Sequence, residues 1–326
     1  MLWGFLRCAD ILPYPPPILS IAEKIFFTVR SSFALGALCW SVLEVKCLAH
    51  DAHEVHAANS KSALEASAVF IPPVEGPCHA VIALVPGCNG DARQAFLQSG
   101  SLWIEWASVH HVALLGVTMR SKEATAKAGM DYYYPEGGSG DVFLELLRQT
   151  DAIEPRLRGA PLYLFGFSGG AHFVHRFAQW KPERVAGFCA YSAGWWQEPS
   201  KEVANVPGFI LCGYQDDRFD ASLGYFQAGR RLGAVWTFAR VRHTGHEIPP
   251  RATTLVQAWL KNVIETRNTP ADPWRGHLYR EETVRGWPAT VGDEWRGTAT
   301  AWLPNATFAQ DWLTFHQQQS NIPSKP

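Results

Sequence analysis

Short apolar stretches alternate with segments of helical periodicity from about residue 66 to residue 266. The short stretches are rich in β-branched and aromatic residues, and several are apolar throughout, as strands buried on both faces should be. The predicted strands are Ala68–Ile71, His79–Val85, Val112–Val117, Leu162–Phe167, Val185–Tyr191, Phe209–Gly213 and Val235–Val241. The predicted helices are Ser101–His110, Gly140–Ile153, Gly169–Trp180, Ala221–Leu232 and Ala252–Glu265. This order predicts an α/β fold with a mostly parallel central sheet flanked by helices.

Residues that carry chemistry are expected beyond the carboxyl ends of these strands. Ligands bind there in open parallel sheets, because the loops that leave the strands gather at one edge of the sheet. The segments to search are therefore 86–91, 118–139, 168–172, 191–200, 214–220 and 242–248.

Two segments that lack the alternation of predicted strands and helices flank a core domain predicted at residues 65–266. They are an N-terminal extension, residues 1–64, and a C-terminal appendage, residues 267–326. The appendage carries five of the fourteen tryptophans, which are Trp274, Trp287, Trp295, Trp302 and Trp312. These side chains either form a binding surface for a sugar polymer or anchor an irregular segment through buried indole rings.

The N-terminal extension contains an uncharged apolar run, Phe33–Leu43, which follows Lys24 and Arg30 and precedes small residues near Ala49. This order resembles a secretory signal whose start lies inside the chain, and it predicts a secreted or periplasmic protein. The alternative is an amphipathic helix packed on the domain of a cytoplasmic protein. The run is shorter than the roughly 20 apolar residues of a membrane-spanning helix, so no stable membrane insertion is expected.

The composition is that of a soluble globular protein and excludes several functions. The chain has 326 residues, of which 47% are hydrophobic, and a formal net charge of -1. A chain with almost no net charge lacks the broad positive electrostatic field that attracts phosphate backbones, so no nucleic-acid partner is expected. The seven cysteines have no CxxC spacing, which argues against a zinc ribbon or a disulfide scaffold. His50, His53 and His56 could chelate a metal if they were helical, but a solvated polar linker is the favoured interpretation.

A Gly-x-Ser-x-Gly sequence joins a predicted strand to a predicted helix. It is Gly166-Phe167-Ser168-Gly169-Gly170. On a sharp strand-to-helix turn the serine hydroxyl is lifted above the sheet, and the flanking glycines leave room for the neighbouring backbones. Ser168 is therefore the candidate nucleophile. The alternative, a glycine-rich packing turn, is disfavoured by this placement.

A serine nucleophile needs an imidazole to take its proton and a carboxylate to orient that imidazole. Asp216 and Asp217 follow a predicted strand, and adjacent side chains cannot both point the same way, so one of the two is the acid. His246 is preferred to His243 as the base. Gly245 helps to shape a tight loop around His246, whereas His243 sits close to the end of a strand.

The glycine-rich turn Pro86-Gly87-Cys88-Asn89-Gly90 is the candidate partner of the serine turn. The backbone amides of Cys88 and Gly169 are expected to hold a tetrahedral oxyanion. The Cys88 thiol as a nucleophile is the disfavoured alternative, because no arrangement specific to a thiolate enzyme accompanies it.

These residues resemble the α/β-hydrolase superfamily, and more closely its poly(3-hydroxybutyrate) depolymerase-like, feruloyl esterase-like and dienelactone hydrolase-like esterases. The matching stretches are Val85–Arg93, Gly138–Gly140, Leu164–Ala171, Trp180–Val185, Gly213–Asp216 and Gly245-His246. In that superfamily the acid commonly stands three residues after the glycine that ends its strand, which selects Asp216. The frequent His-Gly of the oxyanion turn is Pro86-Gly87 here, and this departure changes the surroundings of the oxyanion donors.

The resemblance implies an α/β-hydrolase fold for the catalytic domain and a serine esterase mechanism. Ser168 would attack an ester carbonyl, His246 would pass the proton to the leaving alcohol, and Asp216 would orient His246. No metal or organic cofactor is expected, and the partner is a small-molecule or polymer-linked ester. Trp195 and Trp196 either form an aromatic wall for the substrate or anchor their loop. A serine peptidase, an acyltransferase and a non-catalytic polysaccharide-binding module on the same fold are the alternatives.

Overall fold

The computed structural model describes residues 52–58, 64–88, 90–98, 100–121, 132–268, 273–280, 283–286 and 297–320. The apolar run Phe33–Leu43, Trp287 and Trp295 lie outside these residues. The secretory signal and the division into three segments therefore stay predictions. Within the described part of the chain, no helix has the length and apolar character that a membrane crossing requires.

Eight strands of the described chain form one sheet. They are β1 His53–Ala58, β2 Leu64–Ile71, β3 Ala80–Val85, β4 Val112–Ser121, β5 Leu162–Phe167, β6 Gly187–Tyr191, β7 Gly208–Gly213 and β8 Trp236–Val241. Their order across the sheet is β1-β2-β4-β3-β5-β6-β7-β8. The pairs among β3 to β8 are parallel, whereas β1 with β2 and β2 with β4 are antiparallel. The predicted mostly parallel sheet is confirmed.

Strand β1 was not predicted. His53 and His56 were interpreted as part of a solvated polar linker, and that interpretation is wrong for these two residues because both lie in β1. Val55 and Ala57 are buried while Glu54, His56 and Ala58 are exposed, which is the alternation of an edge strand with one covered face. The sheet thus begins within the predicted N-terminal extension.

The α-helices of the described chain are α1 Ala92–Phe96, α2 Leu102–His110, α3 Ser139–Ile153, α4 Gly169–Trp180, α5 Phe219–Arg231, α6 Pro250–Thr266 and α7 Ala306–Ser320. Helices α2 to α6 were predicted with ends that differ by at most two residues from those observed. Helices α1 and α7 were not predicted. The Asp91 side chain caps α1 by accepting from the Arg93 amide at 2.8 Å, and Ser101 caps α2 by accepting from the Trp103 amide at 3.1 Å.

The core of the fold is centred on the parallel strands. Every residue of β3 and of β7 is buried, as expected for strands packed on both faces. The Phe165 ring on β5 packs against Phe96 at 5.6 Å and against Trp103 at 5.3 Å between ring centroids. These contacts hold α1 and α2 against the sheet near the strand that leads to Ser168.

The described part of the C-terminal appendage has its own small sheet and one helix. Strands β9 Trp274–His277, β10 Val284–Gly286 and β11 Thr300–Leu303 form an antiparallel sheet in the order β10-β9-β11. Trp312 is fully buried, and its Nε1 donates to the Phe238 carbonyl at 2.8 Å. The Thr237 hydroxyl donates to the Trp302 carbonyl at 2.7 Å. These contacts favour the anchoring interpretation for Trp312.

Candidate active site

Ser168 occupies the turn between β5 and α4. Its backbone has φ 52° and ψ -113°, a region that residues other than glycine rarely adopt. The Ser168 amide donates to the Tyr191 carbonyl at 2.9 Å, and the Ser168 carbonyl accepts from the His172 amide at 3.1 Å. The sheet and the helix therefore both hold the strained turn in place.

Close packing between the serine turn and the end of β3 explains the glycine at position 170. A methyl group at Gly170 would overlap the carbonyl oxygen of Val85 and would lie 2.6 Å from that of Pro86. A methyl group at Gly87 would lie 3.5 Å from Cβ of Ser168. The predicted oxyanion turn is thus next to the predicted nucleophile.

The imidazole of His246 lies next to the Ser168 hydroxyl. Its Nε2 atom is 2.9 Å from Ser168 Oγ. The ring stacks on Phe167, with 4.8 Å between ring centroids and 30° between planes. The side chain is 32% exposed, so both solvent and a small molecule can reach it. Of the two histidines considered, His246 is the one that the structure brings to Ser168, whereas His243 lies two residues after the end of β8 and has φ 54°.

The loop that carries His246 is held by the neighbouring loop after β7. The Gln215 amide donates to the Thr244 carbonyl at 2.9 Å. A methyl group at Gly213 would lie 2.5 Å from that same carbonyl oxygen. On the other side, Nη2 of Arg251 donates to the Arg242 carbonyl and to the Thr244 hydroxyl, each at 2.7 Å. These bonds fix the backbone before His246.

Asp216 lies on the far side of the imidazole from Ser168. Its Oδ2 is 2.7 Å from Nδ1 of His246. Its Oδ1 accepts from the amide and from Nη1 of Arg218, at 3.1 Å and 3.0 Å. The Asp216 side chain is buried, whereas Asp217 is exposed. Of the two adjacent acids, Asp216 is therefore the one that contacts the histidine.

The surroundings of Asp216 keep its carboxylate ionised. Burial acts to raise the pKa of Asp216, but hydrogen bonds from His246, Ser192 and Arg218 outweigh it and hold the pKa below its ordinary value. An ionised carboxylate at this place stabilises a positive charge on the imidazole.

Ser192 and Arg218 were not predicted from the sequence as partners of Asp216, although the position of each along the chain is informative. The bond from the Arg218 amide to Asp216 Oδ1 spans two residues, which is a local Asx turn. Ser192 comes directly after β6, at the edge of the sheet where chemistry was expected. Its φ of 59° could not be read from the sequence.

The two backbone amides that are predicted to bind the oxyanion, those of Cys88 and Gly169, belong to residues that lie close together. A methyl group at Gly169 would lie 2.8 Å from the amide nitrogen of Cys88. Gly169 also begins α4, so its amide belongs to the positive end of the helix dipole. The Cys88 side chain is exposed.

Two histidines of α4 hold the loop after β6. His172 Nε2 accepts from the Gly194 amide at 3.1 Å, and His175 Nε2 accepts from the Gln197 amide at 3.2 Å. Burial, assisted by the charge of Arg176, lowers the pKa of His172 to about 3 and that of His175 well below its ordinary value. Both rings are therefore neutral near pH 7 and able to accept these bonds.

The two tryptophans of this loop have different environments. Trp195 is 48% exposed, and its ring lies 4.4 Å from His172 and 6.1 Å from Tyr133 between centroids. Trp196 stacks on Tyr225, at 4.3 Å and 16°, and packs against the core. This placement favours anchoring for Trp196 and leaves Trp195 as the candidate aromatic wall.

No metal centre is assembled by the residues that the structure describes. No three His, Cys, Asp or Glu side chains among them are grouped closely enough to hold an ion. His53 and His56 have exposed side chains on β1, and His50 lies outside the described residues.

Comparison with known proteins finds similarity in structure and none in sequence. No family model and no curated protein sequence matches the chain. The chain is similar to a poly(3-hydroxybutyrate) depolymerase from Bordetella parapertussis, with 16% identity, 69% of this chain and 94% of that chain covered, and a TM-score of 0.50. It is also similar to a ferulic acid esterase, with 15% identity, 66% and 97% covered, and a TM-score of 0.52. The chain has the α/β-hydrolase fold, as its sequence motifs implied.

Proposed function

We propose that this protein is a serine hydrolase that cleaves a carboxylic ester through an acyl-enzyme. The observation that carries the proposal is the line of contacts from Asp216 Oδ2 to His246 Nδ1, at 2.7 Å, and from His246 Nε2 to Ser168 Oγ, at 2.9 Å. Nδ1–H donates to the carboxylate, so Nε2 is left to accept the serine proton. A serine hydroxyl with such a base beside it is an activated nucleophile.

In acylation, Oγ of Ser168 adds to the ester carbonyl carbon as its proton passes to Nε2 of His246. The carbonyl oxygen becomes negative and accepts from the amides of Gly169 and Cys88. The tetrahedral adduct then expels the alcohol, which takes the proton from His246. In deacylation, a water molecule gives one proton to His246 and adds to the acyl carbon, and Ser168 recovers that proton as the carboxylic acid departs.

The ferulic acid esterase among the structures of this fold supports an ester as the substrate class. The exposed indole of Trp195 supports an apolar or aromatic substituent beside the scissile bond. Trp195→Ala should raise KM for a naphthyl or feruloyl ester by about tenfold and should leave KM for an acetate ester within about twofold. Equal changes for both esters would remove Trp195 from the binding site.

The test uses the full chain with a fluorophosphonate probe and p-nitrophenyl acetate. We expect one probe adduct on Ser168 and a loss of turnover of at least about 10³-fold in Ser168→Ala. Ser108→Ala, a serine change on helix α2, is the matched control and should label and turn over as the wild type does. Ester hydrolysis that persists in Ser168→Ala would reject the proposal. Cleavage of peptides in place of esters would favour the peptidase alternative.

A further inference from the structure

Three polar groups border the space beside Cα of Gly169. A methyl group at Gly169 would overlap the hydroxyl oxygen of Tyr132, and it would lie 2.8 Å from the Cys88 amide nitrogen and 3.0 Å from the Tyr133 hydroxyl oxygen. The Cys88 amide is one of the two proposed oxyanion donors, and Gly169 carries the other. Two phenol hydroxyls therefore lie next to both donors.

Packing fixes the positions of these hydroxyls. Tyr132 is 2% exposed and Tyr133 is 5% exposed. The two rings meet edge to face, with 4.8 Å between centroids and 84° between planes. Tyr133 also stacks on His172, at 4.5 Å and 12°. Donors that are held in place before the reaction need no reorganisation when charge develops, which is the condition for effective electrostatic catalysis.

Both hydroxyls are available as proton donors. Burial is the main cause that raises the pKa of Tyr132 and the pKa of Tyr133 well above their ordinary value, so each phenol keeps its proton. The Tyr132 hydroxyl hydrogen-bonds to that of Tyr133, which also hydrogen-bonds to the Cys88 side chain. The Tyr133 oxygen is a weaker hydrogen-bond acceptor than an oxyanion. If an oxyanion forms within reach of the Tyr132 hydroxyl, that hydroxyl is therefore expected to donate to the oxyanion instead.

We propose that the Tyr132 hydroxyl is a third hydrogen-bond donor to the oxyanion, beside the amides of Gly169 and Cys88. This inference rests on the proposed esterase function and makes Tyr132 a catalytic residue of that reaction. Tyr132 is assigned the role because its hydroxyl is the closer of the two to the position that a methyl group at Gly169 would take. Tyr133, which contacts both Tyr132 and the Cys88 side chain, is a positioning residue.

The test compares Tyr132→Phe with Tyr134→Phe. Tyr134 is the next tyrosine in the chain, and its exposed ring lies over the Arg176 guanidinium at 4.8 Å, so it serves as the matched control. The measurements are kcat and KM for p-nitrophenyl acetate and the inhibition constant of a trifluoromethyl ketone, whose adduct with the serine carries an oxyanion. Rates are divided by the concentration of active sites titrated with fluorophosphonate, so misfolded molecules do not count.

We expect Tyr132→Phe to lower kcat by roughly 10- to 100-fold, since two donors remain, and to leave KM within about threefold. The trifluoromethyl ketone should bind more weakly by a similar factor, because it also uses the oxyanion donors. Tyr134→Phe should match the wild type in all three measurements. An unchanged inhibition constant in Tyr132→Phe overturns the inference even if kcat falls, and so does an equal effect in Tyr134→Phe.

Failure of the inference and failure of the proposed function have different signatures. Wild-type protein that neither hydrolyses esters nor takes the probe overturns both. Active wild-type protein with an unaffected Tyr132→Phe variant overturns the inference alone. Difluorotyrosine in place of Tyr132 is a second variant that keeps the ring if Tyr132→Phe does not fold. Its phenol stays protonated and is a stronger hydrogen-bond donor than that of tyrosine, so the inhibition constant of the trifluoromethyl ketone should fall by about twofold or more, and an unchanged inhibition constant overturns the inference.

Discussion

Oδ2 of Asp216 lies 2.7 Å from Nδ1 of His246, whereas the side chain of Asp217, the next residue, is exposed. The contact joins two loops whose residues are 30 positions apart. The loops leave β7 and β8, which are neighbours in the sheet. In the proposed reaction this contact keeps the proton on Nδ1, so that Nε2 faces Ser168 as a base.

Replacement of either acid by asparagine should separate their roles. Asp216→Asn is expected to lower kcat by about 10³- to 10⁴-fold, because a neutral amide no longer stabilises the protonated ring or selects its tautomer. Asp217→Asn should leave kcat within about twofold, since that side chain is solvated. Steady-state ester hydrolysis, with melting temperatures recorded for both variants, makes the comparison. Similar losses in the two variants would contradict the assignment of Asp216.

Two glycine-to-alanine changes should have opposite effects on stability. Gly170→Ala is expected to lower the free energy of unfolding by about 3 kcal/mol or more, because the added methyl would overlap the Val85 carbonyl. Gly224→Ala on the exposed side of α5, where a methyl group meets nothing within 4 Å, should raise it by about 0.5–1 kcal/mol. Urea unfolding followed by tryptophan fluorescence measures both. A stable Gly170→Ala protein would contradict the packing described for the serine turn.

Three buried histidines should make the protein sensitive to mild acid. Burial is the main cause that lowers the pKa of His172 and of His316 to about 3, and that of His175 well below its ordinary value. In the unfolded chain these rings bind protons near pH 6.5, so protonation favours the unfolded state below that pH. The free energy of unfolding should fall from pH 6.5 toward pH 3 by roughly 1.4 kcal/mol per pH unit for each such ring.

Urea unfolding at pH 7.5, 6.5 and 5.5 tests this expectation, since most carboxylates stay ionised across that range. His316→Phe removes one of the three rings and should give a shallower dependence on pH. The same slope in the variant and the wild type would show that His316 is not held neutral in the folded protein.

The Cys88 side chain should be dispensable for turnover. Cys88→Ala keeps the backbone amide, so kcat should stay within about tenfold of the wild type, and the larger part of any loss would come through the Tyr133 hydroxyl. Ser168→Ala in the same assay should lose at least about 10³-fold. Loss of all activity in Cys88→Ala, with Ser168→Ala active, would favour the thiol nucleophile that the sequence left as an alternative.

The fold could be predicted well where local patterns are strong. The strands and helices between β3 and α6 have long apolar or amphipathic runs, and their predicted positions are confirmed except for α1 and for the extension of β4 beyond Val117. Strand β1 was not predicted because its only apolar residues with covered side chains are Val55 and Ala57. An edge strand with one covered face needs few apolar residues, so its sequence pattern is weak. Helix α7 was not predicted because only the tryptophans of its segment, and not the helical periodicity, were considered.

The sequence by itself determined the α/β alternation, the strand-to-helix position of Ser168 and the order in which an acid and a histidine follow it. The first two features depend on residues that are close together in the chain, so local periodicity and turn chemistry express them, and the third is given by the order of the strand ends along the chain. Only the tertiary structure decided that Asp216 faces His246, that Trp196 packs inward while Trp195 stays exposed, and that Tyr132 reaches Gly169. Those relationships arise where loops from separate strands pack together, and no short-range pattern encodes the distance between two such loops.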